Sequence, residues 1–330
     1  MKHTLIPLDD PDAWSRALRI VRHPHAHTHA HVSAFHATAH DDTFLYVHLD
    51  DLGETLVACP VSIRGDEGER DLYTPYGFGG FAANGPVPTF ADEWRSFAES
   101  EDWVASYIFQ NPLLDGALGF EEGSFARVGT TYVLDLSQSP DDLLARMSSR
   151  RRAELRRWSP TAADLTSDPD EVDSFLAATA DAFFDARAAA PVYRLTNDTW
   201  SRLLRAPSVW CTAVREHGTV VAASIFGESC GLVDYLFGIS APGASKYSAP
   251  LIWEAVNHFG AAQATTLNLG GGITAGDGVA EFKRRFGPDE LPLTSGRFIH
   301  RVDTFRDLCR RAGADEDSSG FFPPYRRKRS

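Results

Sequence analysis

The sequence predicts an α/β (α+β) protein of two domains, and three observations carry that prediction. The chain has 330 residues, enough for two domains of ordinary size. Between Thr219 and Gly287 it passes through two apolar strands, a helix, a short strand and a last helix. A separate group of strand-like stretches between Thr43 and Tyr73 requires a second sheet. The composition, 43% hydrophobic and 23% charged, is that of a globular enzyme.

Taken in order, Asp10-Pro11-Asp12 opens a short helix carrying Trp14, Ala17, Leu18 and Val21. His23, His25, His27, His29 and His31 then alternate, and an extended chain would place all five imidazoles on one face. Imidazole ligates zinc, copper or nickel, so a metal reading is available. Residues i and i+2 on a strand lie roughly 7 Å apart, however, too far to share an ion unless the chain bends, and no metal ligand set is assigned. Strands follow at Thr43–Val47, Leu56–Ile63 and Leu72-Tyr73, with turns at Asp51–Glu54 and Gly65–Gly68. Phe90–Ala105 reads as a helix, and Tyr107–Phe109 and Thr131–Leu136 as strands.

Ser139-Pro140-Asp141-Asp142 starts a helix, with Pro and two acids in its first turn. Arg150, Arg151, Arg152, Arg156 and Arg157 come next, too many cations for the internal Glu154 to neutralise. The reading is a polyanion site, with Arg150, Arg152 and Arg156 as the phosphate ligands, against a solvated face. Two helices are expected between Glu171 and Leu204, separated at Ala190-Pro191. The hairpin Thr219–Phe226 and Leu232–Ile239 turns through Gly227–Gly231; Ser248 caps the next helix, which Gly260 closes. Thr265–Leu269 is a short strand, and Asp277 caps a helix bearing Val279, Phe282 and Phe286. The basic tail Arg326–Arg329 reads as a solvated terminus.

Three stretches of this second half carry a resemblance: Lys246-Tyr247-Ser248, Leu269-Gly270-Gly271, and Phe282-Lys283-Arg284-Arg285-Phe286-Gly287. In that order they resemble the FemAB-type, peptidoglycan bridge-forming aminoacyltransferases, a branch of the GNAT superfamily. Asp71–Gly80, with its Tyr-x-Pro-Tyr-Gly-x-Gly-Gly pattern, and Tyr132–Ser137 followed by Met147–Arg157 are similar to further parts of that family. Ordinary GNAT proteins hold the acyl-CoA pyrophosphate on an Arg/Gln-x-x-Gly-x-Gly/Ala turn at a helix N-terminus. Residues Ala241–Pro250 occupy the equivalent turn and lack that motif.

The resemblance implies two tandem GNAT-like domains, each a mixed, largely antiparallel sheet flanked by helices. Residues 1–130, completed by 291–330, would form the acceptor-side domain, and 131–290 the donor side. It further implies transfer of an acyl or aminoacyl group onto an amine, with Lys283 as cationic stabiliser of the carbonyl oxygen and Phe282 beside it in the site. Tyr73, Tyr76, Arg187, Tyr193, Tyr247 and Ser248 are carried over as substrate-binding residues. No general base is assigned. Aminoacyl-tRNA is the expected co-substrate, acyl-CoA the alternative, and a non-catalytic or metal-binding module the third reading; no tightly bound cofactor is expected. The acceptor is a cell-wall peptide or a small-molecule amine.

A net charge of −13 opposes general adhesion to nucleic acid, and DNA is not an expected partner. No apolar leader and no run of about 18 apolar residues is present, so a cytoplasmic protein without a membrane span is expected. Cys59, Cys211, Cys230 and Cys309 lack metal or redox spacing and read as buried reduced thiols.

Overall fold

The computed structural model describes residues 2–114, 116–161, 163–272, 277–317 and 320–327. In chain order its elements are β1 (Lys2–Pro7), α1 (Pro11–Leu18), α2 (His29–Ala39), β2 (Asp42–Leu49), β3 (Thr55–Arg64), β4 (Asp71–Tyr73), β5 (Ala82–Ala83), α3 (Phe90–Ser100), β6 (Ala105–Gln110) and β7 (Phe125–Asp135). They continue as α4 (Pro140–Arg146), α5 (Ser149–Arg156), β8 (Leu165–Thr166), α6 (Pro169–Asp185), α7 (Asn197–Leu204), β9 (Val209–Glu216), β10 (Thr219–Ser229) and β11 (Leu232–Ser240). The last are α8 (Ser248–Ala261), β12 (Thr266–Gly271), α9 (Gly278–Arg284), β13 (Asp289–Ile299) and α10 (Val302–Ala312). Two compact units result: one gathers the chain up to Arg22, His40–Val128 and the chain from Leu293, the other His23–Ala39 and Gly129–Pro292.

In the first unit β1, β2, β3 and β4 pair antiparallel in sequence order, β4 pairs β6 in parallel, and β13 closes on β6 antiparallel. A parallel neighbour needs a crossover, and α3 supplies it. Phe90, Trp94 and Ala98 repeat every four residues, so one face of α3 is apolar and buries against Tyr46, Phe81 and Trp103. The second unit repeats the plan: β8, β9, β10 and β11 run antiparallel, α8 crosses to the parallel β12, and β7 closes antiparallel on β12. Its core joins Leu134, Phe226, Val233, Ile252, Val256, Phe259, Leu267 and Phe286. The architecture is the predicted α/β class, a mixed and largely antiparallel sheet flanked by helices in each unit.

Several local expectations are corrected. Residues 23–39, assigned by sequence to the first domain, pack in the second unit. The alternating histidines are not a strand: His25–His27 form a 3-10 turn, and Thr28 receives the His31 amide on its hydroxyl (3.2 Å) to begin α2. The ring of His25 fills the notch over Gly227 on β10, and His31 meets it edge-on at 4.9 Å, so these imidazoles are core packing. The arginine-rich stretch breaks at Met147 into α4 and α5, because the Ser148 hydroxyl accepts the Arg151 amide (3.3 Å) and starts a second helix. Helix α3 ends at Ser100, not Ala105, and Tyr247 rather than Ser248 stands at the start of α8.

Cys230 is exposed at the β10–β11 turn, unlike the buried Cys59, Cys211 and Cys309, and His23 beside it draws its thiol down to about 7. Arg326 is no solvated tail residue: its guanidinium holds the buried Asp71 carboxylate (2.6 Å) and the Glu69 carbonyl (2.6 Å). Lys328 and Arg329 lie outside the described residues.

A Cβ on Gly227 would fall 2.2 Å from the His25 ring, which is itself wholly buried. Gly227→Ala is therefore expected to lower stability by about 1–3 kcal/mol, as overpacking does. Adding His25→Ala should recover part of that loss in a denaturant-unfolding double-mutant cycle.

Candidate active site

The second unit opens where its parallel pair ends. Strands β11 and β12 pair only at Leu232↔Thr266, Val233↔Leu267 and Asp234↔Asn268. Beyond that register β11 continues along β10 to Ser240, while β12 continues along β7 to Gly271, so the two strands part. A polar knot closes the apex of the fork. The Asn268 amide donates to Asp234 Oδ1 (2.9 Å), and its carbonyl oxygen accepts from the Gly270 amide (2.9 Å) and the Thr131 hydroxyl. Asp234 is 2% exposed, and its Oδ2 has no hydrogen-bond partner among the described residues. Burial raises its carboxyl to about 7.

Lys283 reaches the β12 arm of this fork. Asp277 caps α9 by accepting the Ala280 amide (2.7 Å), and two turns on, the Lys283 ammonium donates to the Gly271 carbonyl (2.7 Å). Lys283 is 8% exposed, and desolvation lowers its pKa to about 8, opposed by the charge of Asp277. A lysine so placed is a desolvated cation with two remaining N–H donors, the equipment needed beside a developing oxyanion.

A pocket of about 450 Å³ opens at the turn from β11 into α8. Arg150, Arg151 and Glu154 of α5, Ser245, Lys246, Ser248 and Ala249 of the turn, and Phe282 and Arg285 of the α9 region line it. Arg151 is its foundation: 4% exposed, it bonds Glu154 (2.8 Å) and stacks over Phe282 and Phe286 at 4.7 and 4.5 Å. The Arg285 carbonyl accepts the Ser148 amide (3.1 Å), and Gly287, at φ +66°, lets the chain pass under the Arg146 carbonyl where a Cβ would fall 2.4 Å from oxygen. With Arg151 committed to Glu154, Arg150 is exposed and makes no ion pair among the described residues, while Lys246 pairs with Glu216 (3.1 Å) and Arg285 with Glu281 (3.2 Å). Four cations and one carboxylate line the pocket, three of the cations being paired with Glu154, Glu216 and Glu281, and the positive end of the 14-residue α8 opens on the same space.

The Ala244, Tyr247 and Ser248 amides are already bonded within the turn, to the carbonyls of Ala241, Ala244 and Ser245, and Pro250 has no N–H.

Of the residues predicted from sequence, Arg150, Ser248 and Phe282 line this pocket. Arg152 instead caps α4 through the Ala145 carbonyl (3.1 Å), Arg156 is exposed and off the pocket wall, and the Tyr247 hydroxyl binds Glu216. Arg187 folds over Phe183 at 3.6 Å and Tyr193 stacks on Phe184 at 6.1 Å, both away from these cations. In the first unit the Tyr73 hydroxyl donates to the Asp41 carboxylate, under Arg64 at 4.6 Å, and Tyr76 is half-buried. Sequence reasoning missed Asp234, Asn268 and the load on Arg151. Spacing could have found the last, since Arg151 and Leu155 stand four residues apart and are the buried residues of α5.

No sequence family and no curated protein matches the chain. Solved structures do. FemX is similar at 12% identity over 93% of this chain and 99% of its own, with a TM-score of 0.64. The C-terminal domain (DUF2156) of a putative lysylphosphatidylglycerol synthetase from Agrobacterium fabrum follows at 13% identity, over 95% and 98%, with a TM-score of 0.57. L-PGS from Bacillus licheniformis stands at 14% identity, over 89% and 95%, with a TM-score of 0.56. The fold is the one these three structures share. No helix among the described residues is long and apolar enough to cross a membrane.

The raised Asp234 pKa has a definite sign. Between about 4 and about 7 the native state holds a proton that the unfolded chain has lost, so stability falls as pH rises through that window. Asp234→Asn should flatten the slope in urea unfolding measured across this range.

Proposed function

We propose that this protein is an acyltransferase that forms an amide bond by moving an aminoacyl group from aminoacyl-tRNA to the amine of a peptide-like or small-molecule acceptor. The observation that carries the reading is the pocket at the β11–α8 turn, whose wall carries the side chains of Arg150, Arg151, Lys246 and Arg285. Arg150, Arg285 and Lys246 suit the spaced phosphates of an RNA acceptor end better than a compact pyrophosphate. The fold it shares with FemX is consistent with this chemistry.

In the reaction the acceptor nitrogen attacks the ester carbonyl carbon, the C–N bond forms and the C–O bond to the terminal ribose breaks. The amine gives up a proton and the departing ribose oxygen gains one. Negative charge gathers on the carbonyl oxygen between these events, and Lys283 meets it with a cation already stripped of water and positioned by Gly271. Phe282 acts one step removed: its ring lies under Arg151 and walls the pocket, which orients the donor. Tyr73, Tyr76, Arg187, Tyr193, Tyr247 and Ser248 are assigned to substrate contacts on the strength of the family likeness.

An acyl-CoA donor is the second reading, favoured by the place of the pocket, at the turn where ordinary GNAT proteins hold CoA. Labelled aminoacyl-tRNA and, separately, labelled acyl-CoA incubated with candidate amines distinguish the two. Label is expected to move from aminoacyl-tRNA; movement from acyl-CoA alone would reject the tRNA donor. Lys283→Ala should cut turnover on the order of 100-fold with the fold intact, as loss of one oxyanion donor does. Lys283 is a cation below its pKa of about 8, so the single-turnover rate should drop as pH rises through that value. Lys283→Arg should abolish that drop.

A further inference from the structure

In the first unit, His3 on β1 and His48 on β2 are direct cross-strand partners, so their imidazoles project from the same face of the sheet. Helix α3 crosses that face and sets Glu93 over them. The Glu93 carboxylate lies 3.3 Å from His48 Nε2 and 3.9 Å from His3 Nε2, and one ligand atom from each residue falls within 4.8 Å of the other two. We propose that His3, His48 and Glu93 form a binding site for a divalent transition metal, zinc foremost.

Three features favour an ion over a plain histidine–carboxylate pair. First, His48 is wholly buried, and neither ring nitrogen has a hydrogen-bond partner among the described residues. A buried imidazole left unbonded is costly, and a metal on Nε2 would satisfy it. Second, His3 is already oriented from behind. Its Nδ1 is 2.8 Å from the hydroxyl of the buried Tyr46 and its ring stacks on Phe97 at 5.0 Å, which leaves Nε2 to face Glu93. Such a bond to the far nitrogen is what fixes the tautomer of a metal-ligating histidine. Third, two imidazoles with centroids 4.7 Å apart converge on one carboxylate, and an ion pair could use only one of them well.

The donor set suits zinc. Tetrahedral bonds of about 2.0–2.1 Å separate ligand atoms by about 3.3 Å, so His48 and Glu93 already stand at that spacing and His3 needs only a small inward turn. A groove of about 540 Å³ lined by Asp92, Ser96, Phe97 and Ser100 reaches His3 and Glu93, giving an ion a way in and a place for water as fourth ligand. Bound there, the ion would fasten the edge strand β1 to α3.

The test uses full-length protein stripped with chelator, dialysed against zinc, and separately titrated with cobalt(II). One zinc per chain is expected, with the intense visible absorption of a four-coordinate cobalt site and a higher melting temperature on loading. His3→Gln and Glu93→Gln, both at partly exposed positions, should each weaken zinc at least about 10-fold while leaving the circular dichroism of the metal-free protein unchanged. Failure to retain stoichiometric zinc overturns the proposal. So does zinc that binds both variants as tightly as wild type, which would place the ion elsewhere, as in the His23–His31 stretch.

Discussion

The second unit of this molecule depends on one buried guanidinium. Arg151 stacks on two phenylalanines of the α9 region while its ion pair with Glu154 stays on its own helix. That arrangement joins α5 to α9 through a planar cation with two usable faces, which a lysine could not reproduce. Glu154 is 37% exposed, so the Coulombic part of the pair is screened and the packing does most of the fastening. Because Arg151 takes the local carboxylate, Arg150 stands on the pocket wall without an ion pair among the described residues. Of the five arginines, Arg151 is structural, Arg152 caps a helix and Arg150 stands on the pocket wall, while Arg156 and Arg157 are exposed away from that wall.

The second constraint is the short parallel pair. Three residues of β11 and β12 are enough to hold the crossover of α8, and the ladder then stops at Asp234 and Asn268. Every backbone group beyond that point on the facing edges must find another partner. The Gly271 carbonyl finds Lys283, and the Gly270 amide finds the side chain of Asn268. A fork in the sheet therefore produces, at its mouth, a lysine held in place without a carboxylate in direct contact. The first unit carries the same kind of parallel step, β4 against β6 over Asp71–Tyr73, and there Asp71 is answered by Tyr325 and Arg326.

Much of this was legible in the sequence, and the failures have physical causes. The hairpin β10–β11, the helix α8 and the cap Asp277 follow from β-branched runs, helical spacing and a polar residue before an apolar turn. The histidine stretch was misread because period two is only a strand signal when no cap interrupts it. Thr28 does interrupt it, and a contact with Gly227 some 200 positions away decides where the His25 ring goes. Asp234 with Asn268, and His3 with His48 and Glu93, could not be seen at all, since each depends on strand register and on which helix crosses which face. Lys283 and Phe282 were found only through a short motif. Spacing alone would have given them no more weight than Arg284.

The central claim is that the pocket at the β11–α8 turn receives the phosphates of an RNA acceptor end through Arg150, Arg285 and Lys246. The most direct test is equilibrium binding of a short RNA hairpin ending in CCA, to wild type and to Arg150→Ala/Arg285→Ala, at two salt concentrations. Loss of two phosphate contacts should weaken binding at least about 10-fold at low salt and flatten the salt dependence. Equal affinity and equal salt slope in a folded double variant would contradict the account.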